Sequence, residues 1–239
     1  VVTGGLIVAP VALKWLLIGR WKTERFPVLG WKYYRFWVVK TLLGLSPMRL
    51  FNGTPLFNLY LRLLGARIGR NSVVMNGGTL VASDLLDIGD NTFINKACSM
   101  GGYRTRSGYI EIGPVSVGSR VYIGESTTLG LHTSIGDDAQ LGNASALYSG
   151  MSVPAGKKYH GSPAIETETD YDRIERLPIS HVRRVLYNLV QIVTLVFLAV
   201  PVPLAAVLAG FPGLADVGDL HLDGTDTILI APLDLVGLT

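Results

Sequence analysis

The sequence predicts an all-β left-handed parallel β-helix of hexapeptide repeats, flanked by α-helical transmembrane segments. Three observations predict it: an unbroken aliphatic period of six in the middle of the chain, a charge-free run of membrane length after it, and charge that changes sign across that run. The composition agrees, with 49% hydrophobic and 16% charged residues, against roughly 25% charged in ordinary soluble domains. The single cysteine, Cys98, excludes an internal disulfide and a cysteine-rich zinc site.

In chain order, residues 1–19 are expected to be part of a transmembrane helix. The run is apolar except for Lys14, which lies near its end and is expected to snorkel toward the interface. The chain opens on Val1 inside this run and reads as a piece of a longer protein. Residues 20–63 are expected to form a basic, aromatic helical region. Between Arg20 and Lys40 six basic residues stand against one acid, Glu24, interleaved with Trp31, Tyr33, Tyr34, Phe36 and Trp37. Such a stretch suits a helix lying on a membrane surface, or one packed across an end of the β-helix; the two are compatible.

Residues 64–164 carry the repeat. Val117, Ile123, Leu129, Ile135, Leu141, Leu147 and Val153 recur every six residues, and glycine follows the first five of them. Four residues after each anchor the side chain is mostly small, as at Thr127, Thr133, Ala139 and Ser145. Each hexad then makes one short strand and one corner, three hexads make a coil, and the anchors fill a narrow prism. The N-terminal half repeats more loosely, with Ile68, Val74, Leu80 and Leu86 in one phase and Ile88, Ile94 and Met100 in another. The repeat slips between Gly101 and Ile112, where a polar, basic, glycine-bounded insert is expected to leave a corner as a loop.

Residues 165–184 are expected to be a basic linker helix. Residues 185–215 contain no charge and exceed the roughly 20 residues that cross a hydrocarbon core. Residues 216–239 hold five aspartates and no lysine or arginine, and are expected to be a non-cytoplasmic segment leading to the next membrane element. Basic residues flank the inner ends of both apolar runs, which places the β-helix on the cytoplasmic side.

The repeat, closed by Gly161-Ser162-Pro163-Ala164, makes residues 68–164 resemble the hexapeptide acyltransferase superfamily. A narrower resemblance runs through Gly53-Thr54-Pro55-Leu56, Tyr60-Leu61-Arg62 and Leu64-Gly65-Ala66-Arg67-Ile68-Gly69. It continues through Gly102-Tyr103-Arg104, Ile112-Gly113-Pro114-Val115, Leu141-Gly142-Asn143-Ala144-Ser145 and Val153-Pro154-Ala155-Gly156. With the flanking apolar runs, this is similar to the C-terminal membrane region of ε-poly-lysine-synthetase-type nonribosomal peptide synthetases. That resemblance implies adenylation and carrier domains in the same polypeptide, phosphopantetheine on the carrier, and no cofactor bound by this region. It also implies further β-helix copies in a pseudo-trimer, with membrane lipid around the helices of a bacterial inner membrane. The implied activity is an acyltransferase-like one, joining a carrier-bound aminoacyl thioester to a free amine.

Amide formation from a thioester needs a base for the amine and donors for the developing oxyanion. Many members of the superfamily place a histidine at a corner, three residues after an anchor. The position that aligns from the C-terminal end is Ser126, and His132 has the same phase one hexad later. His132 is the candidate base, with a solvated corner histidine as the plain alternative, and Glu125 is its candidate partner from an adjacent face. Lys96, Tyr103 and Arg104 are candidates for binding an anionic phosphopantetheine arm or a carrier surface, against simple solvation. His160 is a further substrate-binding candidate, against a capping role in the terminal turn. Cys98 fills a small inward position and reads as packing. No phosphate-loop, metal or nucleic-acid motif occurs, so no metal and no nucleic-acid partner is expected. Two other functions compete: a non-catalytic scaffold copy completing the pseudo-trimer, and a free-standing membrane-associated acetyltransferase. The missing aligned histidine favours the scaffold and disfavours the free-standing enzyme.

Overall fold

The computed structural model describes residues 2–172 and 181–194, with single positions at 197, 202 and 205. Three helices and one strand precede the repeat: α1 (Val2–Leu17), β1 (Glu24–Pro27), α2 (Trp31–Leu45) and α3 (Pro55–Leu63). In α2 the buried residues are Phe36, Val39 and Leu43, spaced to form one stripe along the helix. The helix packs against α1 and β1, and within this stripe Phe36 meets the rings of Trp21 and Phe26. At the start of α3 the Thr54 hydroxyl accepts the Phe57 N–H at 3.3 Å, with Pro55 in the first turn, where its missing donor costs nothing. Arg62, near the end of α3, donates to the carbonyls of Ile68 and Gly69, tying the helix to the first coil.

Lys14 departs from its expected place. Its side chain is 0% exposed and its Nζ lies 2.7 Å from Asp84 Oδ1. The other oxygen, Asp84 Oδ2, accepts the Trp21 N–H at 2.9 Å. A partner 70 residues away holds the ammonium inside the protein, where hydropathy along the chain has no view of it.

The first coil contains β2 (Arg67–Ile68) and β3 (Val73–Asn76), and the second β4 (Leu86–Ile88) and β5 (Phe93–Cys98). A hairpin, β6 (Tyr103–Arg106) and β7 (Tyr109–Ile112), leaves the second coil. The third coil holds β8 (Val115–Val117), β9 (Tyr122–Ile123) and β10 (Thr128–Leu129). The fourth holds β11 (Thr133–Ile135), β12 (Gln140–Leu141) and β13 (Ala146–Leu147). The fifth holds β14 (Ser152–Val153) and β15 (Lys158–His160), followed by β16 (Ile165–Glu166). The coils stack as parallel sheets, in the orders β14-β11-β8-β4-β2, β15-β12-β9-β5-β3 and β10-β13, one sheet per face. The result is a parallel β-helix with its anchors buried along the axis.

Two kinds of position explain why the repeat folds this way. Residues three after an anchor turn the corner with positive φ: Asn71, Asn91, Ala97, Arg120, Ser126, His132, Asp138 and Ala144, then Gly150 and Gly156. The glycine directly after an anchor serves close approach instead. A Cβ on Gly124 would lie 2.5 Å from the Asn143 backbone N in the next coil. Leu147 and Val153 belong to outermost strands, with no further parallel strand above, and Tyr148 and Pro154 stand where glycine would otherwise be required. Buried hydroxyls at the inward positions satisfy corner carbonyls, as Thr127 Oγ1 does for Gly124 O at 2.9 Å.

The insert is a structured arm. Its strands are joined through Ser107 and Gly108, both at positive φ as a tight hairpin turn requires. β1 pairs antiparallel with β7, from Glu24 opposite Ile112 to Pro27 opposite Tyr109. The expected loop is therefore the middle and edge of a three-stranded sheet, and part of the expected helical region 20–63 is a strand. The expected linker helix over 165–184 also begins differently. Ile165–Glu166 pairs antiparallel with β15, and Lys157–Glu166 and Lys158–Asp170 ion pairs hold the segment down. A later helix, α4 (His181–Thr194), crosses the expected boundary at 185. Most of 185–215 and all of 216–239 lie outside the described residues. Among the described residues no helix is long and apolar enough to cross a membrane.

Candidate functional site

The corner after β10 carries His132. Its φ is 58°, and its N–H donates to Pro114 O at 2.7 Å, which fixes the corner to the coil below. The imidazole is exposed and lies against the backbone of Gly113, where a Cβ would come within 2.7 Å of Nε2. Gly113 thus leaves the space that the ring occupies. Among the described residues no side chain hydrogen-bonds the imidazole.

The hairpin leaves from the same corner one coil lower. Arg104 on β6 donates to Glu111 Oε2 from Nε at 3.2 Å and from Nη2 at 2.6 Å. Its Nη1 donates to Ser149 Oγ at 3.0 Å, which ties the arm to the coil that stacks above His132. Glu111 is also approached by Arg25 of β1 at 3.7 Å. The Arg104 hydrogen bond holds the Glu111 carboxyl below the usual carboxylate range, and the charges of Arg104, Arg25 and Arg106 add to it. The corner therefore offers an exposed imidazole over a glycine floor, with the hairpin pinned to the coil above through Ser149.

The remaining candidates lie elsewhere. Lys96 Nζ is 3.5 Å from Glu125 Oε2, and Ser126 N–H donates to Lys96 O at 3.2 Å, so these three share the preceding corner. Glu125 takes Lys96 as its partner, and the Glu125–His132 pairing is not formed. Tyr103 is half-buried, with its ring 5.1 Å from that of Phe36 and the Lys40 ammonium over it at 5.1 Å. It anchors the arm to α2. His160 stacks on Tyr171 at 5.6 Å and its Nδ1 lies 3.4 Å from Ser145 Oγ, a closing role for the last coil. Cys98 is buried, its Sγ 3.1 Å from Gly124 O, and burial pushes its thiol up.

Lys96, Tyr103 and Arg104 do not assemble into one anion site for a phosphopantetheine arm. Lys96 and Arg104 each face a carboxylate, and Tyr103 is packed. Among the described residues no group of three or more His, Cys, Asp or Glu side chains could hold a metal. A cavity of 460 Å³ lies between the end of α2, the 3₁₀ turn Pro47–Phe51, Phe57 and Asn76, at the first coils and not at the His132 corner. Sequence reasoning missed Glu111, Gly113 and Ser149. Glu111 sits across a hairpin from Arg104, a pairing visible only once the insert is known to be two strands.

No family model matches the chain. Over 157 residues it is 27% identical to the delta-poly-L-ornithine synthetase of Acinetobacter baumannii (strain AB307-0294), a match taking in 66% of this chain. The match spans 12% of that synthetase's length. A maltose O-acetyltransferase from Clostridium difficile 630 superposes with a TM-score of 0.44 at 17% identity, covering 68% of this chain and 97% of that one. A galactoside acetyltransferase in complex with coenzyme A gives 0.46 at 17%, covering 66% and 92%.

Proposed function

We propose that this chain is an acyl-transferring region of a peptide synthetase, with its chemistry at the His132 corner. The observation that carries the reading is the exposed His132 imidazole seated over Gly113. The likeness to a poly-ornithine synthetase supports a reaction that joins amino acids. In the proposed step a free amine attacks the carbonyl carbon of an aminoacyl thioester. The C–N bond forms and the amine proton passes to the His132 imidazole. Collapse breaks the C–S bond, and the imidazolium returns its proton to the leaving thiol.

A second reading, a scaffold copy within a pseudo-trimer, is favoured by one specific observation. The candidate residues divide between two corners, and no described side chain orients the imidazole. Chain growth by the full-length protein separates the two. His132→Asn suits the left-handed corner, since asparagine tolerates positive φ, and it removes the base without disturbing the coil. Growth is expected to fall roughly 100-fold or more, as loss of a general base does, while aminoacyl loading measured separately is unchanged. Unaltered growth would sink the transferase reading and leave the scaffold.

A further inference from the structure

A buried stripe is the usual signature of a surface helix, with charge on the opposite side. In α2 the opposite side is apolar as well. Trp31, Tyr34 and Trp37 are 67%, 51% and 50% exposed, and Leu45 continues the row at 65%. Consecutive rings stack along the helix, Trp31 on Tyr34 at 5.3 Å and Tyr34 on Trp37 at 6.3 Å. Leu29, just before the helix, and Leu50, just after it, are also exposed. The charges sit on the flanks: Lys32 is bound to Glu24, and Arg35 lies near Trp31.

We infer that this face of α2 docks flat on an anionic bilayer surface. Tryptophan and tyrosine have an apolar body and a polar tip, and they partition to the headgroup level. The positive field of residues 20–40, six bases against one acid, attracts anionic lipid. The face is a convex row on one helix, the shape that enters an interface. The same chain carries the uncharged run 185–215, of a length suited to hydrocarbon, which keeps a bilayer within reach. The docked helix also holds the arm through the Phe36–Tyr103 contact, so the bilayer fixes the height of the His132 corner above the lipid. This inference does not depend on the proposed transferase activity.

The test uses the full chain in vesicles of phosphatidylethanolamine and phosphatidylglycerol, with a nitroxide on Tyr34→Cys. Cys98 is buried and stays unlabelled in the folded protein. A second label at Ser134→Cys, exposed on the β-helix, is the control. The label at 34 is expected to gain collisions with oxygen and lose them with a water-soluble nickel reagent, while the label at 134 stays aqueous. A label at 34 that remains aqueous overturns the inference. So does one shielded from both reagents, because a protein surface then covers the face. Lipid exposure of both labels overturns it too, as spreading of the whole chain on the membrane.

Discussion

At the scale of single residues, the β-helix asks opposite things of neighbouring positions within one hexad. The residue after an anchor must be small because the next coil lies against it, and the residue three after it must turn left-handed. Gly124→Ala pushes a methyl to within 2.5 Å of the Asn143 backbone, and overpacking of this kind costs about 1–3 kcal/mol. Ala144→Gly, at a corner with φ of 51°, has the reverse sign. It removes a left-handed strain of about 1–2 kcal/mol and adds the roughly 0.5–1 kcal/mol entropy loss of glycine. Urea denaturation midpoints check both: the first variant falls and the second rises. His132 belongs to this corner class, which explains its place in the hexad without reference to chemistry. Its phase was legible in the sequence, whereas the glycine floor beneath it was not. That floor depends on Gly113, which opens the coil after an insert whose hairpin shape the period of six does not show.

At the scale of elements, the hairpin behaves as a strut between α2, β1 and the His132 corner. The sequence showed where it starts and ends, because the period of six stops and resumes. Its pairing with β1 stayed hidden, since four residues near the start of the chain meet a partner more than 80 residues later. The Arg104–Glu111 pair within it sets a pH dependence. A carboxyl held below its usual value of about 4.3 contributes above that value, and the contribution disappears as pH falls through the lower folded value. The protection factors of the hairpin amides, exchange rates corrected for the intrinsic rate at each pH, are expected to be the same at pH 7 and pH 5. Protection is lost only below the ordinary carboxylate range, and loss near pH 5 or above would contradict the pairing.

At the scale of the whole molecule, the N-terminal helices and the β-helix are joined by a buried charge pair. The Lys14–Asp84 contact spans 70 residues and is supplemented by the Trp21 N–H. Gly65, at φ 101°, makes room for it, as any Cβ there would collide with the Asp84 carboxylate. A buried pair of this kind adds little over an apolar replacement, but removing one member leaves a charge without compensation. Asp84→Asn is expected to cost about 3–5 kcal/mol. The loss would appear in thermal unfolding and in the protection of amides in α1 and in the 3₁₀ turn Ser83–Leu85 before those of the central coils. The repeat and its core were readable from the start because periodicity is a local property of sequence. Lys14 was not, because an apolar run with one lysine looks alike whether the cation faces lipid or a distant carboxylate.

The coil register holds a last consequence. Ile94 pairs with Ile123 across 29 residues, and Ile123 with Leu141 across 18, yet both steps place an anchor directly over an anchor. The extra length is absorbed wholly at one corner. The arm can therefore change in length and charge, together with its partners β1 and α2, while the prism beneath keeps its geometry. Closely similar cores can in this way carry different arms without a single change inside the stack.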